Sequence, residues 1–418
     1  METTNPNVRT DAVQGPLAFL VASLVFLCLA SAWLVLRPGL LLDAKIGSES
    51  TAWIYLSVYG FALCGVYGLV YQSIPLAFKM PLYCPPFVIL HLAFHVIGLL
   101  LLGLSAFTPD SQNVVMGQTF VAAGAVIFIV NAASSLKCEG GPDAAVAFLV
   151  TSMLWLGITL IVGIPFASHP SVGFLANSMW GPATLELGMA GVVLNVILGL
   201  ALRITTMRLG STVERTNTPW FALVLVNSGA AWLFAATAFG PPAFVLFCAG
   251  IYLAGVLVYI ARFTSILENR RDWELEWDSK ILYTAIWMIP VCVLMFGFAI
   301  WQRHMGAEPS VRVDASTLLA VILGACVPGL ISLFFQSASL LGDPAQEVNL
   351  SAQVLLAAFF NYAAGVLLII PGVWLGIEKM ATLGSLFLTV GSLGFLLNFL
   401  YTSRAKSSEA RRETAQTA

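Results

Sequence analysis

Residues 52–76 read AWIYLSVYGFALCGVYGLVYQSIPL, a 25-residue run with no charge and with Gly60 and Gly68 eight apart. A helix crossing the hydrocarbon core needs about 20 apolar residues, so this run is long enough to span. Its glycine pair recurs. Gly191 and Gly199 stand in the same relation, displaced by 131 residues. The same displacement carries Gly98 to Gly229 and Ala123-Gly124 to Ala254-Gly255. Trp155 and Trp287 match at 132, and Gly324 is followed eight residues later by Ser332. Small residues repeating at one offset mark recurring close helix contacts.

Working outward from that run, twelve apolar stretches qualify as spans: 16–36, 52–76, 84–107, 114–135, 144–166, 183–205, 220–239, 242–262, 281–301, 315–340, 350–376 and 380–401. The offset therefore corresponds to four helices. Four crossings return the chain to the same side, so the repeat is parallel and three copies account for twelve spans. The sequence predicts an all-α polytopic membrane bundle of about 12 helices in three four-helix repeats. It consists of a leader at 1–15, one membrane domain at 16–403 and a disordered cytoplasmic tail at 404–418. A six-helix repeat would instead point to a major-facilitator-type transporter.

Composition agrees. Of 418 residues, 59% are hydrophobic and only 10% charged, with a formal net charge of −2; mean hydropathy is +0.90. Soluble domains carry roughly 25% charged residues. A soluble enzyme, a disordered chain and a nucleic-acid binder are excluded. With the N-terminus inside, fourteen Lys and Arg fall in inner segments and five in outer ones, which places both termini in the cytoplasm. Ala30-Ser31-Ala32 resembles a cleavage site, but the apolar run continues through Leu36, so the first helix reads as uncleaved. The seven cysteines form no C-x-x-C pair and read as small buried hydrophobes. Residues 263–280, with Trp273 and Trp277 four apart, fit a short interfacial helix or a solvated loop helix.

The run Tyr55-Leu56-Ser57-Val58-Tyr59-Gly60-Phe61 followed by Gly68-Leu69-Val70-Tyr71-Gln72-Ser73-Ile74-Pro75 resembles the second helix of haem-copper oxidase subunit I. The C-type cytochrome c oxidase branch is the most similar. Leu90-His91-Leu92-Ala93-Phe94-His95-Val96-Ile97-Gly98 resembles that branch's third helix, and the NnrS membrane family is similar too. The resemblance implies twelve helices in three arcs with cytoplasmic termini. It also implies six histidines: two for a low-spin haem, one for a high-spin haem and three for copper. This chain has four histidines in total, and His169 and His304 fall in outer loops or at helix ends. The second-helix ligand would lie near Trp53 or Tyr55, and the tenth span has no histidine. A complete oxidase centre is excluded by that count. Haem in full oxidase stoichiometry and copper are not expected.

The candidate site residues are therefore few. His91 and His95 lie four apart on one helix face and are the candidate cofactor ligands, with interhelical hydrogen bonding as the alternative. Glu186 is the carboxylate within an apolar run. Gln72, Asn195, Asn227 and Asn361, with Gln118, Asn131, Gln336, Gln353 and Asn398, read as interhelical hydrogen bonders. No phosphate loop, zinc motif or nucleophile elbow is present. The expectation is a multi-pass protein of a bacterial inner membrane, in contact with lipid and with other membrane subunits of a respiratory complex. It would serve there as an accessory, assembly or electron-transfer subunit. The alternative is a secondary transporter or small-molecule permease.

Overall fold

The computed structural model describes residues 6–42, 48–107, 111–136, 143–167, 185, 187–211, 217–270, 275–304, 311–339 and 349–417. Among these, twelve helices are long and apolar enough to cross a membrane. We label them α1 (Gly15–Leu36), α2 (Ala52–Leu76), α3 (Pro86–Ser105), α4 (Gln112–Ser135), α5 (Ala144–Val162), α6 (Leu187–Arg208), α7 (Thr218–Phe239), α8 (Pro242–Glu268), α9 (Trp277–Gln302), α10 (Ala315–Ala338), α11 (Ala352–Leu375) and α12 (Glu378–Thr402). All regular structure in the described residues is helical. Hydrocarbon offers no partner for a free peptide group, so each span satisfies its own.

More than four-fifths of α2, α6 and α10 is buried, against under half of every other span. These three form the centre, and they touch one another. A Cβ on Gly65 of α2 would lie 2.9 Å from Phe334 Cζ of α10, and one on Gly329 of α10 would lie 3.1 Å from Ile197 of α6. At the inner ends Ser337 donates to Gln72 at 3.2 Å and Thr205 to Gln336 at 3.2 Å. The remaining helices wrap this core as three arcs, α3–α6, α7–α10 and α11–α12–α1–α2. The last arc joins the two ends of the chain, with Ser31 and Ser392 hydroxyls 3.1 Å apart.

The repeat is visible in packing. Gly60, Gly191 and Gly324 each leave room for a large side chain of the preceding helix: Phe26, Trp155 and Met288. The counterpart of Trp155 is thus Met288, one residue beyond the Trp287 expected from the sequence offset. Trp287 is 45% exposed. In the three outer hairpins Gly98 meets Val121, Gly229 meets Tyr252 and Gly365 meets Leu388, each partner 23 residues on.

Other differences are local. Residues up to Glu268 complete α8 and those from Trp277 begin α9, so 263–280 holds no separate interfacial helix among the described residues. Trp273 lies outside them. The last helix runs on to Thr417, where a disordered tail was expected. Residues 405–417 contain neither Gly nor Pro and are rich in Ala, Glu and Arg, which favours helix. The first helix likewise begins at Pro6, inside the expected leader.

Candidate functional site

The two histidines of α3 are fully buried. His91 lies among Tyr67, Phe19, Tyr71 and Phe128, with ring centroids 4.4, 4.7, 5.9 and 5.9 Å away. His95 stands 5.3 Å from Tyr67, nearly perpendicular to it. The cage is drawn from α1, α2 and α4. Its fourth wall is Gly124: a Cβ there would lie 2.9 Å from His91 Cδ2 and 3.5 Å from Nε2. Glycine is required at that approach.

Each histidine has one engaged nitrogen. Tyr71 Oη is 3.3 Å from His91 Nδ1. His95 Nε2 donates to the carbonyl of Tyr59 at 2.9 Å. That carbonyl has a physical reason to need a donor. Residues 55–63 form π-helical turns, which replace the i→i+4 ladder by i→i+5 and leave groups without the usual partner. The same turn occurs at 187–193 in α6 and at 320–326 in α10. In each repeat a side chain meets the carbonyl just before the repeated glycine. His95 meets Tyr59 O, Tyr362 donates to Leu323 O at 3.0 Å, and Asn195 reaches Ala190 O at 3.4 Å and Gly191 O at 2.8 Å. His95 and Tyr362 are also equivalent in register. Gly391 approaches Tyr362 N as Gly255 approaches Val226 N, 29 residues back in each case, and 29 back from Gly124 is His95. His95 is therefore the first-repeat version of a hydrogen bond that a tyrosine makes in the third.

The other polar candidates are separate from the histidines. Asn195 and Asn227 bond each other, and Trp155 Nε1 donates to Asn227 at 2.7 Å, tying α5, α6 and α7. Gln72 joins α2 to α10. Asn131 holds the start of α3 through both backbone groups of Cys84, at 2.8 and 3.1 Å. Two expectations fail. Asn361 bonds the Ala357 carbonyl of its own helix, and Gln353 is exposed. Both sit on the outward side of α11, where the bundle offers no neighbour. Glu186 and His169 lie outside the described residues. The described Cys64, Cys248, Cys292 and Cys326 are buried and unpaired by disulfides, as their apolar settings suggest.

Sequence reasoning missed the aromatic cage. Tyr67 and Tyr71 stand four apart on α2, one helical turn, and that spacing was its available signal. It also missed the ion cluster at the inner face. Arg208 at the end of α6 bridges to Glu276 and to the buried Asp278 at the start of α9. Ser332 of α10 donates to the Asp278 carbonyl.

No known protein-family profile matches the sequence, and no curated protein matches it. The fold does match. A solved heme-copper terminal oxidase, imaged by cryo-EM as a dimer, superposes with a TM-score of 0.61 at 10% sequence identity, over 96% of this chain and 84% of that one. The fold is haem-copper oxidase-like. At that identity the match speaks for architecture alone.

Haem and copper can then be tested against the side chains present. Trp53 and Tyr55, where the resemblance puts a haem ligand, are buried and engaged: Trp53 Nε1 donates to Ala30 O at 3.2 Å, and Tyr55 bonds Gln118. The described part of α10 carries no histidine. His91 and His95 project from the same helix into a cage closed by four rings and a glycine contact. A macrocycle bonded to His91 Nε2 would overlap Gly124 and its neighbours. The residues present fit neither haem nor an oxidase copper centre.

Proposed function

We propose that this protein is a haem-free version of the oxidase-like fold, working in a bacterial inner membrane as an accessory or assembly subunit of a respiratory complex. The observation that carries the reading is the filled centre: side chains occupy the places where the resemblance would put cofactor ligands. Fold outlasts chemistry, so a scaffold can persist for its docking faces after the site is gone. Electron transfer by the chain itself is set aside, because it needs a cofactor that the cage does not admit. Transport gains no support either. Gln72, Asn195 and Asn227 are bonded to neighbouring helices at separate places, and Asn361 faces outward. Together they line no continuous path.

The test is purification of the full chain from its own membranes in mild detergent. The expected result is no Soret band, no stoichiometric copper and co-migration with a cofactor-bearing membrane complex. Stoichiometric haem in the purified chain would overturn the haem-free reading. Migration alone under all mild conditions would overturn the accessory reading.

A further inference from the structure

Three buried polar atoms in the cage have no protein partner: His91 Nε2, His95 Nδ1 and the Tyr67 hydroxyl. Their rings are mutual neighbours, with centroids 4.4 Å (Tyr67–His91), 5.3 Å (Tyr67–His95) and 6.0 Å (His91–His95) apart. An unsatisfied polar group in such surroundings is costly.

The surrounding bonds fix which of these atoms give and which accept. A carbonyl oxygen only accepts, so His95 Nε2, 2.9 Å from Tyr59 O, carries the hydrogen and Nδ1 is a bare acceptor. Asn131 uses Oδ1 on Cys84 N–H and one amide hydrogen on Cys84 O. Its second amide hydrogen is left for Tyr71, to which Asn131 is also bonded. Tyr71 then gives its own proton to His91 Nδ1, 3.3 Å away, and His91 carries its hydrogen on Nε2. The bonds therefore run in one direction, from the inner loop at Cys84 through Asn131, Tyr71 and His91, and resume from His95 to Tyr59. The break between the two segments has one donor on one side and one acceptor on the other.

We propose that a single internal water is bound at this break, accepting from His91 Nε2–H, donating to His95 Nδ1 and sharing its remaining valence with the Tyr67 hydroxyl. Water fits the chemistry of the site because it gives and takes at once, and buried waters typically make about three hydrogen bonds. A metal ion does not fit, since His91 Nε2 has no free lone pair in this arrangement. The inference concerns a site that the accessory-subunit reading does not use, and it stands or falls separately.

Magnetic resonance on the full chain in lipid nanodiscs, with ¹⁵N-labelled imidazole rings assigned through His91→Gln and His95→Gln, tests it. The expected result is that both rings carry hydrogen on Nε2 and none on Nδ1, with magnetisation passing from a slowly exchanging water to both. A hydrogen on His91 Nδ1, or no transfer to either ring, would overturn the proposal. In Tyr67→Phe the transfer should persist. Its loss with the fold intact would assign the bridge to the hydroxyl itself and remove the water.

Discussion

At the scale of the residue, His95 illustrates how a side chain suggestive of a metal serves the backbone instead. Its hydrogen bond satisfies a carbonyl released by a π turn, and Tyr362 does the same in the third repeat. His95→Leu removes the donor and should lower stability in detergent by about 1–2 kcal/mol, whereas His95→Gln keeps an N–H within reach and should lose less than half of that. Thermal unfolding of the two variants checks the order, and equal losses would contradict the capping role. That His91 and His95 share a helix face was legible from their spacing alone. The identity of the partner was not, because it depends on a π turn in another helix, and one inserted residue in a helical ladder leaves no mark on apolar periodicity.

Between elements, glycine decides how closely the helices pair. The outer hairpins of the three repeats bring backbone against backbone: a Cβ on Gly229 would stand 2.6 Å from Tyr252 Cα, and one on Gly365 2.6 Å from Leu388 N. Gly229→Leu and Gly365→Leu should each destabilise by about 1–3 kcal/mol or more through overpacking. Gly103→Ala and Gly250→Ala, whose added carbons meet nothing within 4 Å, should be neutral within error. The repeated glycines were readable because a shared offset needs no structure to detect. The tryptophan match was not reliable, since a face-defining position shifts when one helix is a residue longer, and Met288 took the place assigned to Trp287. A second element-level contact is the ion cluster joining α6 to α9. Arg208 is only 13% exposed in its side chain and Asp278 8%, whereas Glu276 is 49% exposed. Arg208→Ala leaves the buried Asp278 charge uncompensated and should cost about 3–5 kcal/mol. Glu276→Ala, half in water, should cost under about 1 kcal/mol. Chemical unfolding in a fixed detergent distinguishes the two.

For the molecule as a whole, span count, arc order and repeat were all legible, because bilayer thickness and the need to satisfy every peptide group leave so few solutions. Orientation rests on the fourteen-to-five distribution of Lys and Arg. Reporter fusions at positions 210 and 270 should report cytoplasm and one at 172 the opposite side. Opposite signals at all three would invert the protein, and a mixed pattern would break the span count. The absence of cofactor ligands was legible by counting histidines, but the filled centre was not, since it depends on which side chains meet across α2, α6 and α10. The arc made of α11, α12, α1 and α2 has one further consequence. Ribosomes deliver α1 first and α12 last, yet Ser31 of α1 packs against Ser392 of α12. A nascent chain therefore holds an unmated first helix until synthesis is nearly done. Chains halted before residue 378 should be cleared by membrane quality control, and supplying residues 349–417 as a separate polypeptide should rescue them.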